Sequence, residues 1–215
     1  MTTETGLRER KKERTRQAIA DTARRLFAER GFEGVTVAEI ARAADVAEKT
    51  VFNYFPTKED LFYSRLEAFE EELLAAVRER SRGESVLTAF RRFVMGRRGV
   101  FDLKDDEATE QLRAITRVIT ASPALLARER EVMGRYTEAL AALIAEETSA
   151  GADAVEPRVA AAALIGIHRS LIDYVRRRAL AGAGAPEIGR EVRREAKRAF
   201  ARLERGLADY AVKST

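Results

Sequence analysis

The sequence has no cysteine, four prolines and a single histidine, His168, in 215 residues. Without thiols it can form no disulfide, no cysteine-ligated zinc site and no thiol nucleophile. One imidazole cannot supply paired histidines to a metal or a catalytic relay. Enzymatic chemistry is left with carboxylates, lysines or a bound cofactor; no phosphate-binding loop is present, and neither cofactor nor metal is expected. No apolar run approaches the roughly 20 residues of a membrane span, and residues 1–7 lack the apolar core of a signal segment. A cytoplasmic location without membrane contact is expected. Basic residues barely outnumber acidic ones, 39 against 35, for a net charge of +4. The meaning of that charge depends on where it lies, because phosphate affinity comes from local clusters.

Between Arg8 and Arg16 six basic residues stand against only Glu9 and Glu13. Such a run is either the solvated start of a helix or a surface for phosphates. The rest of the chain has the apolar and charged content of a globular protein, and its periodicity is helical throughout. From Arg14 to Arg30, Ile19, Ala23, Leu26 and Phe27 form one apolar stripe, closed by Gly31 as the left-handed residue after the helix. Thr36 and Glu39 form a capping box for a short helix from Val37 to Ala43 or Ala44. A second short helix, from about Ala47 to Tyr54, is stopped by Pro56, and Thr57 with Asp60 starts a long one through Leu73 to Val77. Further helices are expected at about 85–95, 106–121, 123–147, 154–181 and 186–210. Their start signals include Ser122-Pro123, Asp153 with Glu156, and Ala185-Pro186. The fold class is therefore all-α, with about nine helices.

Two short helices joined by a three-residue corner have the geometry of a helix-turn-helix, whose second helix enters the DNA major groove. Ala41 is small where the helices cross, and Ile40, Val46 and Val51 supply apolar contacts between them. Asp45 occupies the corner, and Asp tolerates the left-handed conformation better than most residues. The outer face of the second helix carries Glu48, Lys49, Thr50 and Asn53. Lysine and threonine reach base edges or phosphates, and Asn53 offers the donor and acceptor pair that suits adenine. Any helical hairpin shares the bare outline.

Residues 14–61, RTRQAIADTARRLFAERGFEGVTVAEIARAADVAEKTVFNYFPTKEDL, resemble the DNA-binding domain of TetR/AcrR-family transcriptional regulators. The linked features are LFAERGF, the capping box TV-x-EIA and the closing TVFNYFPTKEDL. Asp45 stands where the family commonly has glycine, and Phe52 where tyrosine is frequent, which removes any hydroxyl contact from that position. The resemblance implies an N-terminal three-helix DNA-binding domain, residues 1–56 with the basic arm, and a helical ligand-binding and dimerisation domain, 57–215. It further implies that Thr36 and the Val37 amide grip phosphate, that Lys49, Thr50 and Asn53 face the groove, and that Tyr54 and Lys58 touch phosphates, the other readings being a core aromatic beside Phe55 and an ordinary surface lysine. The arm, including Arg14 and Arg16, would lie along the backbone or the adjacent minor groove.

The resemblance also implies an effector cavity among the middle helices. Its candidate walls are Phe62 and Phe69, then Phe90, Phe93 and Phe101, then Ile115, Ile119, Met133, Tyr136 and Leu140, and finally Leu164, Ile167, His168 and Leu171. Each is equally suited to packed core, and His168 to a satisfied core or interface position. The last two helices would form a four-helix dimer interface through Ala163, Gly166, Ile188, Val192, Ala199, Phe200, Leu203 and Leu207, with intramolecular core as the other reading. The arginine row Arg190, Arg194, Arg198 and Arg202 reads as a solvated face. One recognition helix reads too few base pairs for useful discrimination, so a homodimer on a palindromic operator is expected, its half-sites roughly 34 Å apart or a little more. The implied function is a repressor released when a small hydrophobic or amphipathic effector fills the cavity and the helix from Thr57 swings. An activator of the same family, an architectural DNA-binding protein without sequence preference, and an enzyme using carboxylates such as Asp105 and Asp106 are the alternatives.

Overall fold

The computed structural model describes residues 4–96, 103, 105–151 and 153–207, with backbone alone at 4–9, 65–68 and 207. Among these residues there are ten helices and no strand, and no helix is long and apolar enough to cross a membrane. They are α1 (Glu4–Arg30), α2 (Val37–Ala43), α3 (Glu48–Tyr54), α4 (Lys58–Phe62), α5 (Ser64–Arg78), α6 (Val86–Met95), α7 (Asp106–Ala121), α8 (Pro123–Thr148), α9 (Val155–Leu180) and α10 (Ala185–Leu207).

The chain forms two compact units, Met1–Glu67 with Arg117–Glu129, and Ala68–Thr116 with Arg130–Thr215. The first unit thus takes in a distant segment, Arg117–Glu129. Its core contains the α1 stripe, with Ile19, Ala23 and Phe27 almost fully buried, together with Ile40 and Ala41 of α2, Val51 of α3 and Leu61 of α4. Ile119 and Leu125 enter the same core from the borrowed segment. Ser122 donates to Glu33 at 2.8 Å, and the Tyr63 hydroxyl donates to the Leu125 carbonyl at 3.2 Å.

The long helix expected from Thr57 to Val77 is broken at Tyr63. Leu61, Tyr63 and Ser64 are buried, and Phe62 packs its ring on Phe27, Phe32 and Tyr63. Side chains on a straight helix advance by about 100° per residue, so Leu61, Phe62 and Tyr63 in succession cannot all face one core. The chain ends α4 there and restarts as α5, which gives ten helices instead of nine. The capping boxes at Thr36 and Thr57 are both present. At α9 the cap is Ala154 with no side-chain hydrogen bond, so Asp153 does not cap that helix.

In the second unit α9 packs along α10, and α6 lies against both. The stripe Ile188, Val192, Ala196 and Phe200 on α10 is at most 2% exposed within this single chain, with the Phe200 ring 6.4 Å from Phe90. Ile188, Val192 and Phe200 are consequently core of one subunit, and the interface role expected of them is corrected. At the end of α5, Arg80 continues the buried positions Leu73 and Val77. Its guanidinium pairs with Glu147 of α8 at 2.5 and 3.0 Å and donates to the carbonyls of Val77 and Glu84.

Candidate nucleic-acid interface

The turn between α2 and α3 is closed by backbone hydrogen bonds, Ala44 to the Ile40 carbonyl at 2.9 Å and Val46 to the Ala41 carbonyl at 3.0 Å. Asp45 has φ +54°, the left-handed geometry its place in the corner requires. Arg30 at the end of α1 donates to both Gly34 carbonyl and the Glu39 carboxylate, each at 2.8 Å. Glu39 also accepts from the Thr36 amide at 2.8 Å and the Thr36 hydroxyl at 2.9 Å. These bonds, the Thr36 amide foremost and then Arg30, hold its carboxyl down at about 2. The corner is thus fixed as a charged network, and the Thr36 hydroxyl proton is used within it.

On α3, Val51 is buried against the core while Glu48, Lys49, Phe52 and Asn53 are exposed. Thr50 and Tyr54 are half-buried, and Tyr54 packs on the core 6.5 Å from the ring of buried Phe55. The outer face therefore offers a carboxylate, an ammonium, a carboxamide and a bare phenyl ring. Phe52 was not expected as a site residue; its signal was its i+4 spacing from Glu48. Lys58 donates to the Val35 carbonyl at 3.0 Å and lies 4.1 Å over the Phe32 ring, so it fastens α4 to the α1–α2 corner. Arg16 lies 5.1 Å over the Phe55 ring. The basic run is not a loose arm: α1 extends back to Glu4, leaving Arg10, Lys11, Lys12 and Arg14 on exposed helix.

The candidate effector residues separate. Phe62 and Ile119 belong to the core of the first unit. In the second, Phe69 stacks on His168 at 4.8 Å and on Tyr136 at 5.7 Å, with Phe93 tilted against it at 5.2 Å. Burial lowers the His168 pKa from 6.5 to about 4, so this imidazole is neutral at pH 7. Phe90, Met133, Leu140, Leu164 and Leu171 are buried, Ile167 is half-buried, and Ile115 is exposed at the surface. Phe101 lies outside the described residues, as does the Leu207 side chain. Two grooves on this unit, of about 460 and 430 Å³, are lined by other residues: Thr88, Arg91, Arg92, Met95 and Lys197 in one, and mainly Ala141, Ala142, Ala145, Pro157, Arg158 and Ala162 in the other. Of the interface candidates, Ala163, Ala199 and Leu203 are half-buried and Gly166 is exposed.

Residues 19–64 match the family described as bacterial regulatory proteins, tetR family, and residues 84–208 match the MftR C-terminal domain. The regulator TcmR of Streptomyces glaucescens is 35% identical over 144 residues, a stretch covering 64% of this chain and 63% of TcmR. The chain thus spans just under two thirds of that relative. MftR of Mycobacterium tuberculosis, named as a mycofactocin biosynthesis transcriptional regulator, is 26% identical over 77% of this chain and 81% of its own. Among solved structures, NalD, the secondary repressor of the MexAB-OprM multidrug efflux pump in Pseudomonas aeruginosa, shares the fold with a TM-score of 0.56 and 23% identity, over 91% of this chain and 98% of that one. With its buried three-helix corner, its outward α3 and a second unit matched over more than half the chain, this protein belongs to the TetR family of DNA-binding transcriptional regulators and is not an enzyme.

Proposed function

We propose that this regulator is a cytoplasmic repressor that binds a palindromic operator as a homodimer and is released by a small hydrophobic or amphipathic effector. The observation that carries the DNA reading is the outer face of α3, where Lys49 and Asn53 are exposed while Val51 anchors the helix. Lys49 and Asn53 contact base edges, and the helical basic run from Arg10 to Arg14 follows the phosphates. Replacing Lys49 with alanine reduces discrimination between the preferred duplex and a scrambled one by about 1–3 kcal/mol. Fluorescence anisotropy with both duplexes measures this, and an unchanged ratio of affinities would remove Lys49 from base readout.

The partner in the dimer is a second copy seated on α9. Val155 and Val159 are 68% and 57% exposed, and Ala162 and Gly166 continue their edge of the helix at the spacing of successive turns. Beside them lies the alanine-lined groove between α8 and α9, with Glu138 and Arg158 at its lining. A ridge next to a groove, with one acid and one base, is the self-complementary pattern that a two-fold interface needs. Val159→Glu puts a carboxylate in the middle of it. Light scattering coupled to gel filtration should then give a monomer and operator affinity should fall; a persisting dimer would place the interface elsewhere.

The effector site is proposed around the rings of Phe69, Phe93, Tyr136 and His168. α5 and α8, which carry Phe69 and Tyr136, each hold residues of both compact units, so repacking around these rings acts on helices that continue into the DNA-binding unit. An effector shifts the equilibrium only by its different affinity for the two arrangements.

A further inference from the structure

We infer that Phe52 is a specificity residue that reads the 5-methyl group of thymine in the major groove. This rests on the reading of α3 as the recognition helix. An isolated exposed hydrophobic side chain elsewhere on a protein needs no explanation. Phe52 is different in its position: it is 45% exposed, yet its neighbours Val51 and Phe55 are 1% and 2% exposed and already fill the core. The ring is therefore not needed to hold α3 in place. It lies between Glu48, one turn before it, and Lys49, three residues before it, on the face left open to a partner.

The chemistry narrows what that partner atom is. A phenyl ring has no donor for a phosphate oxygen. Glu48, on the same edge of the helix, is repelled by phosphates and attracted by the amino groups that cytosine and adenine present in the groove. That edge of α3 therefore faces bases and not the backbone. On the floor of the major groove the apolar group that can take a phenyl ring is the thymine methyl, since no other base exposes one there. Burying the ring against it removes apolar surface of both from water.

The test first selects preferred duplexes from a random-sequence pool with the full-length protein. Each thymine of the selected half-site is then replaced by deoxyuridine, which deletes the methyl group and leaves base pairing intact. At one thymine per half-site, or two adjacent ones, affinity should fall about fourfold, the worth of one buried methyl group. Phe52→Ala should bind the thymine and uracil duplexes equally at that position, and Phe52→Leu should keep part of the difference. Circular dichroism melting checks that the variants fold, as an exposed side chain predicts. If no thymine is sensitive, or if Phe52→Ala keeps the wild-type sensitivity, the assignment of Phe52 is overturned while sequence-specific binding stands. If no sequence is enriched at all, the reading of α3 falls, and this assignment with it.

Discussion

Replacing Glu147 with alanine is expected to lower the stability of the second unit by about 3–5 kcal/mol, although glutamate on a helix is ordinarily dispensable. The loss comes from its partner. Arg80 has a side chain with no exposure to solvent, and Glu147 is the carboxylate that balances it. Without that carboxylate the buried guanidinium loses its ion-pair partner Glu147, while its bonds to the carbonyls of Val77 and Glu84 bring no net charge to replace it. Removing both charges together, Arg80→Met with Glu147→Ala, should recover much of the loss, because an apolar side chain of similar length suits the same site. Urea denaturation of the three proteins gives the comparison. A single variant within 1 kcal/mol of the parent, or a double variant worse than either single change, would contradict this account.

The second large effect is a dependence on pH. His168 is neutral in the folded protein down to about pH 4, whereas in the unfolded chain it takes up a proton near 6.5. Between those values the unfolded state binds more protons than the folded state, so acidification favours unfolding. Stability from this group is complete above pH 6.5, declines as the pH falls and is lost by about pH 4, a change of roughly 3 kcal/mol. Unfolding measured from pH 7 to pH 4 should show this slope in the parent, and His168→Leu should remove that share of it. Equal slopes in the two proteins would mean that the imidazole is protonated inside the fold. Glu39 acts lower on the scale. Its folded value of about 2 lies below the ordinary 4.5, so its contribution is present above 4.5 and disappears as the pH falls toward 2.

What the sequence made legible was decided by neighbours along the chain. Thr36 with Glu39, Thr57 with Asp60, Gly31 and Asp45 each act within a few residues, and each takes the geometry its chemistry asks for. The apolar stripe of α1 was equally plain, since Ile19, Ala23 and Phe27 are almost fully buried. A stripe states that a face is covered, however, and not by what. Ile188, Val192 and Phe200 have the spacing of an interface and the spacing of a core, and only the packing of α10 within its own subunit separates the two. The break at Tyr63 was hidden for a related reason: it arises from three consecutive residues turning inward toward a core that includes residues sixty positions away. Arg80 looks like any surface arginine in a charged turn. Its position in step with Leu73 and Val77 was the available sign, and residue type outweighed it. For α3 the motif and the resemblance led to the groups able to hydrogen-bond and passed over the phenyl ring of Phe52, which is exposed on the same helix.

The segment Arg117–Glu129, which supplies Ile119 and Leu125 to the first unit, also sets when that unit can be finished. A ribosome that has already made α1 to α4 must still synthesise some sixty residues before the missing part of the core exists. At about 5–20 residues per second that is a delay of several seconds. During it, Tyr63 has no Leu125 carbonyl to bond and Glu33 no Ser122. The segment α1 to α4 is encoded first and completed late, so a nascent chain that has not yet reached Glu129 does not have the finished framework around α3.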